Sequence, residues 1–256
     1  EQDAFEQQRV FRREAQLSSL ADDWRKLEQI VGARSVNHEN ERQALRRAAA
    51  MIEGSLGTTN MGYAVKTFAG PEFQKESWPI LTVSTRDQGK GEPIWLIFAY
   101  DTSAHAAAVP ESSASLALSL ALAQSLVGED FAHPLRLMWV PHGRADTPLR
   151  EAMVDKVRTI LAAAPHPCWV LLADDLLGAA SLAVTSSADA SELRSAGFPE
   201  MRGNVELCQP FNQLMQLQLS RAVVLSAATK TESSPAQMVS LCEQLGDLLR
   251  RLAQEK

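Results

Sequence analysis

The residues best placed to do chemistry follow the apolar runs of this chain. Ile94 to Phe98 leads into Ala99-Tyr100-Asp101, Leu135 to Val140 into Pro141-His142-Gly143-Arg144, and Trp169 to Leu172 into Ala173-Asp174-Asp175. Glu111 stands just before a helix of leucine and alanine. If the runs are parallel strands of one sheet, their carboxyl ends share an edge, and ligands of open α/β sheets bind beyond that edge. Carboxylates and one histidine are then expected to gather at one end of the sheet. The bland alternative is strong, because Asp and Ser after strands also form turns and cap helices.

Other catalytic patterns are weaker. Ser112, Ser113 and Ser115 lie near Glu111, and His105, His133 and His142 are available, so a Ser-His-Asp arrangement can be imagined. No Gly-x-Ser-x-Gly elbow accompanies it, and helix-cap serines with surface histidines explain the same residues. Gly89-Lys90-Gly91 reads as a hairpin tip, not a phosphate loop. Cys168, Cys208 and Cys242 form no CxxC pair and match no zinc knuckle, so buried or incidental thiols are expected.

The elements that must position these residues alternate. The pattern reads as helix 39–56, strands 63–68, 80–86 and 94–100, helix 113–127, strand 135–140, helix 148–164, strands 169–173, 182–185 and 223–226, and a closing helix 235–254. Pro235 sits in the first turn of the last helix. Asn37 or Asn40 is the expected cap of the helix at 39. Ile94 to Tyr100 is apolar throughout, as in a strand covered on both faces. This order predicts an α/β fold with a mostly parallel, mixed sheet sandwiched by helices.

Residues 1 to 31 read as a helix. Val10, Leu17, Trp24 and Val31 fall seven apart, with Leu20 and Leu27 in the other seam position and Arg13 interrupting it. The expected organisation is an N-terminal helical extension or stalk over 1–23 and an α/β domain over 24–256. The heptad seam suggests a homodimer through this helix, or a partner-binding helix, beside the simpler reading of a helix packed on its own domain.

With 256 residues, an apolar fraction of 45% and a net charge of -6, the chain can bury a sizeable core. No Lys/Arg stripe interleaves with aromatics, so nucleic acid is not an expected partner. No run of about 18 apolar residues is present, so no membrane span is expected. The chain opens at Glu1, and an extracytoplasmic domain tethered by a preceding segment is one expectation for its location.

Several short motifs carry a resemblance. Leu27 to Arg34 reads Leu-Glu-Gln-Ile-Val-Gly-Ala-Arg, followed by Glu-Asn-Glu-Arg-Gln-Ala and by Met-Gly-Tyr-Ala-Val at 61–65. With Phe98-Ala99-Tyr100-Asp101, Ser113-Ala114-Ser115 and Asp175-Leu176-Leu177-Gly178, this order resembles the co-catalytic zinc aminopeptidases, a family that includes the glutaminyl cyclases. The resemblance spans most of residues 24–254 and implies a zinc-exopeptidase-like, phosphorylase/hydrolase-like fold.

The resemblance also implies where a two-zinc site should be, and the departures concentrate there. Ala99 stands at the first histidine position, while Asp101 is kept. Glu111 takes the bridging aspartate position. Arg144-Ala145 replaces the Glu-Glu pair that supplies the general base and a ligand. Asp175 keeps a carboxylate, and Thr229-Lys230-Thr231 stands where the late histidine belongs. Without imidazoles, and with Arg144 adding positive charge, zinc is expected to be absent and no cofactor is expected. The expected vestigial site is Asp101, Glu111, Arg144, Asp175 and His142, with Arg144 paired to Glu111 or Asp175. The functional expectation is a non-catalytic, aminopeptidase-like binding or scaffolding module for a protein or peptide partner. The alternative is a repurposed or residual metal-dependent hydrolase with an atypical site.

Overall fold

The computed structural model of the chain describes residues 18–87, 91–103, 108–163, 169–176, 182–186, 190–199, 208–227 and 234–254. In chain order, helix α1 (18–31) is followed by α2 (Glu39–Leu56), β1 (Lys66–Phe73), β2 (Glu76–Ser84), β3 (Arg86–Asp87), β4 (Ile94–Ala99) and α3 (Val109–Leu126). Then come β5 (Asp130–Phe131), β6 (Leu135–Val140), α4 (Thr147–Ala162), β7 (Trp169–Ala173), β8 (Leu182–Ser186), α5 (Ser191–Ser195), α6 (Pro210–Gln218), β9 (Ala222–Ala227) and α7 (Pro235–Gln254).

The main sheet runs β1-β2-β6-β4-β7-β9-β8. Its centre, β6-β4-β7-β9, is parallel, and antiparallel strands β1, β2 and β8 close the two sides. The architecture is therefore a mostly parallel mixed α/β sheet. Alternation along the central strands divides the core in two. Leu96, Phe98, Leu137 and Trp139 face α2, α3 and α7, whereas Trp95, Ile97, Met138 and Val140 face α4 and α6. α3 is buried nearly all round, which its Leu/Ala composition permits without any polar stripe. Its Ser119 accepts the indole N–H of Trp139 at 2.8 Å and donates to Leu116 O.

The hairpin β1-β2 departs from the pattern expected over 63–68 and 80–86. Strand β1 begins only at Lys66, because Tyr63 turns inward and its hydroxyl donates to Ala123 O at 2.6 Å. The turn is Gln74-Lys75, both at positive φ (52° and 67°), so it lacks the Asn-Gly signature that marks such turns in sequence. A bulge between Ala69 and Glu72 brings Gly70 against the backbone of Trp78, where a Cβ would lie 2.2 Å from Trp78 O. The short β3-β5 pair and helices α5 and α6 are further elements beyond those expected. The N-cap of α2 is His38, neither Asn37 nor Asn40.

Helix α1 packs on the domain. Leu20 and Leu27 are buried in the core, and Trp24 and Val31 rest against it, so both seams of the 18–31 stretch face this chain's own core. Its last turn, Lys26–Val31, is wound as a π-helix and stops at Gly32, whose φ of 74° suits glycine. The earlier seam residues, Val10, Arg13 and Leu17, lie outside the described residues. Among the described residues no helix is long and apolar enough to cross a membrane.

Candidate functional site

Adjacent strands β6, β4 and β7 end at one edge, and their next residues meet there. Tyr100 extends the ladder by donating its N–H to Val140 O at 2.9 Å, which places Asp101 beside the turn that follows β6. In that turn Gly143 donates its N–H to Asp101 Oδ1 at 3.1 Å and Arg144 its N–H to Asp101 Oδ2 at 2.8 Å. Gly143 is needed for this approach: a Cβ there would lie 2.6 Å from the Cβ of Ala99.

Arg144 then folds back across the strand ends. Its Nη1 donates to Asp101 O at 2.6 Å and lies 3.6 Å from Asp101 Oδ1, and its Nη2 donates to Asp175 Oδ1. Gln209, at the cap of α6, donates from Nε2 to the other oxygen, Asp175 Oδ2, at 2.8 Å. Asn212, one turn further on, donates to Ala173 O at 3.2 Å and fixes α6 to the end of β7. The Arg144 side chain is only 6% exposed.

Burial and charge oppose each other here. Burial pushes the Asp101 carboxyl up to about 7, with the charges and N–H groups of Arg144 partly offsetting it. Burial, then repulsion from Asp175, raises Asp174 to about 6. Burial alone would lower the Arg144 pKa, but Asp175, Asp101 and Asp174 outweigh it and the net shift is upward. A second arginine, Arg34, is fully buried behind Asp101. It donates from Nε to Tyr100 O at 2.7 Å and from Nη1 to Gly32 O at 2.9 Å and to Ser113 Oγ at 3.3 Å. Its backbone N–H donates to Thr102 Oγ1 at 2.8 Å. Burial and the like charge of Arg144 lower its pKa to about 10, so it stays charged at neutral pH.

His142 sits at the same edge with its ring edge-on to Trp78, centroids 5.5 Å apart. Burial lowers its pKa to about 4, and among the described residues its Nε2 has no hydrogen-bond partner. His142, Asp101, Thr102 and Arg144 line a cavity of about 30 Å³, room for a water or two.

The expected site residues divide accordingly. Asp101, Arg144 and Asp175 come together, and the expected pairing of Arg144 is found with Asp175. His142 joins them around the small cavity. Glu111 lies half-buried in the first turn of α3 and is not among the ion-pair partners of Arg144. His105, Cys168, Lys230 and the Gly89-Lys90 tip fall outside the described residues, whereas Cys208 and Cys242 are buried free thiols. Gln209 and the internal role of Arg34 carry no sequence signal: an amide before a proline and an arginine after a helix-ending glycine are ordinary surface patterns.

Compared with protein-family models and with curated proteins, the sequence matches none. Solved structures do match. Glutaminyl cyclase from Fimbriiglobus ruber is similar at a TM-score of 0.62 and 16% identity, over 95% of each chain. The LapA aminopeptidase of Legionella pneumophila is similar at a TM-score of 0.58 and 14% identity, over 93% of this chain and 72% of that one. A zinc-dependent exopeptidase from Bacteroides vulgatus, itself described as putative, matches at 0.56 and 10%, over 94% and 96%. Together with the mixed seven-stranded sheet, these likenesses give the chain the fold shared by zinc-dependent aminopeptidases and glutaminyl cyclases.

Proposed function

We propose that this domain is a non-catalytic module with an aminopeptidase-like fold, which binds or scaffolds a protein or peptide partner and takes no zinc. The observation that carries this reading is the buried Arg144 guanidinium lying between Asp101 and Asp175. All four carboxylate oxygens are in use: those of Asp101 accept backbone N–H groups, and those of Asp175 accept Arg144 and Gln209. Catalytic zinc takes three protein donors and a water. A dication beside a buried guanidinium meets repulsion of several kcal/mol at partly buried distances. The residues present therefore do not fit the metal. Among the described residues no group of three or more His, Cys, Asp or Glu is placed to hold one. A repurposed hydrolase would need a cleft of substrate size here, and among the described residues the cavity beside His142 is about 30 Å³.

Metal analysis with an activity assay tests the reading. After dialysis against trace zinc, the protein should carry well under one ion per chain. Hydrolysis of aminoacyl arylamides and cyclisation of N-terminal glutamine should stay at background with or without chelator. One or two tightly held ions with chelator-sensitive turnover, lost in Asp175→Ala, would overturn it.

A further inference from the structure

The opposite end of the same sheet carries a larger opening. A cavity of about 560 Å³ lies between the hairpin β1-β2 and the C-terminal end of α4, within the size range of small-molecule sites, roughly 300–1,000 Å³. It is lined from β6 by Arg136, four residues and so about 13 Å of strand before Val140 and the Arg144 end. Alternation puts Thr82, Trp95 and Arg136 on the α4 face of the sheet. Lys66 pairs with Thr82 and Arg136 with Ser84 of the same strand, so the two cations flank β2 two residues apart in register, and Trp95 pairs with Arg136.

The charge of the lining is one-sided. Lys66 and Arg136 line the cavity, and among the described residues no carboxylate does. Arg136 lies over the Trp95 ring, its Cζ 5.4 Å from the centroid, and among the described residues it has no ion-pair partner. Trp95 is only 3% exposed, and among the described residues its indole N–H has no acceptor. Native structures seldom leave a buried donor unpaired, and a guanidinium is shaped to take a carboxylate in two parallel hydrogen bonds. Phe68 and Ile160 supply apolar wall, and Phe68 stays partly exposed.

We propose that this cavity binds a small organic carboxylate with an aromatic or aliphatic body, its carboxylate held by Arg136 and Lys66 and its body against Phe68 and Ile160. The proposal does not depend on the state of Arg144, since the two places lie at opposite ends of the strands. It assigns the module a small-molecule ligand in addition to any protein or peptide partner.

Calorimetric titration of the full chain with 3-phenylpropionate, octanoate and neutral 3-phenylpropanamide tests it. Both carboxylates should bind saturably at one site per chain, and the amide at least about tenfold more weakly, the loss of roughly one charge-assisted bond. Arg136→Gln should weaken the carboxylates about tenfold, Phe68→Ala should weaken them less, and exposed Arg158→Gln should leave them unchanged. If Arg136→Gln fails to fold, the acid–amide comparison on the unaltered chain and Lys66→Gln still decide. Absence of saturation to millimolar concentration, equal affinity for acid and amide, or equal competition by inorganic phosphate would overturn the proposal.

Discussion

The guanidinium of Arg144 reaches from the end of β6 across Asp101, at the end of β4, to the carboxylate of Asp175, at the end of β7. One side chain thus ties the ends of three neighbouring strands. Two carboxylates brought this close and buried repel each other, and each pays a desolvation penalty. Arg144 offsets both by direct contact, and Arg34 adds a second positive charge behind Asp101. The carboxylate edge is neutralised from within the chain.

Removing that cation should be costly. Arg144→Leu leaves Asp101 and Asp175 without their shared partner, and stability should fall by about 3–5 kcal/mol. Arg144→Lys should recover only part, because an ammonium cannot span both acids as the fork does. Urea unfolding measures both. A double-mutant cycle with Asp175→Asn should show coupling of more than about 1 kcal/mol, and coupling near zero would mean the contact contributes nothing.

The buried imidazole predicts a pH response of known sign. His142 has a folded pKa of about 4, lowered by burial, against an unfolded value of 6.5. The unfolded chain therefore binds this proton first as pH falls. The stability contributed by neutral His142 is complete above 6.5 and is lost on acidification toward 4, amounting to about 2 kcal/mol by pH 5. His142→Gln lacks this dependence. The stability gap between the native chain and His142→Gln should shrink by about that amount between pH 7.5 and pH 5 in urea titrations. An unchanged gap would place the imidazole in contact with solvent.

Much of this was legible in the sequence, for physical reasons. The apolar runs at 94, 135 and 169 could only be buried strands, and strands of one parallel layer must end at a common edge, so Asp101, Arg144 and Asp175 could be brought together from pattern alone. The hairpin was misplaced because Gln74-Lys75 adopts a turn whose usual glycine or asparagine is missing. Helix α6 went unseen in a short, polar stretch, and with it Gln209. Arg34 was invisible as an internal residue because charge argues for solvent, and only three-dimensional closure reveals the carbonyls and hydroxyl that receive its donors.

Truncation tests helix α1 apart from the residues that precede it. Deleting residues 1–16 should leave the melting temperature within a few degrees while weakening any self-association, as light scattering would report. Leu20 is 1% exposed and belongs to the core. Leu20→Ala should cost about 2–5 kcal/mol, and extending the deletion past it should cost at least as much. Equal melting temperatures for the two deletions would show that α1 adds nothing to the fold.

Arg34 makes the sharpest local prediction. Its Nη1 takes the carbonyls of Leu27 and Gly32 at 3.4 and 2.9 Å, at the end of the π-turn of α1, while its Nε takes Tyr100 O at the end of β4. The last carbonyls of a helix carry partial negative charge and lack partners within the helix, so a cation there is doubly favoured. Arg34→Met keeps the apolar stem but abandons the carbonyls of Gly32 and Tyr100, each costing roughly 1–3 kcal/mol if left unpaired in the interior, whereas Leu27 O keeps the N–H of Gly32 at 2.9 Å. The loss should appear first where the acceptors are. Amide hydrogen exchange over residues 27–34 should accelerate more than exchange in β6 or β7, and Arg34→Lys should behave almost as badly, since one ammonium cannot serve acceptors on two elements. A uniform acceleration across the sheet would show instead that Arg34 supports the whole domain and not the junction of α1 with β4.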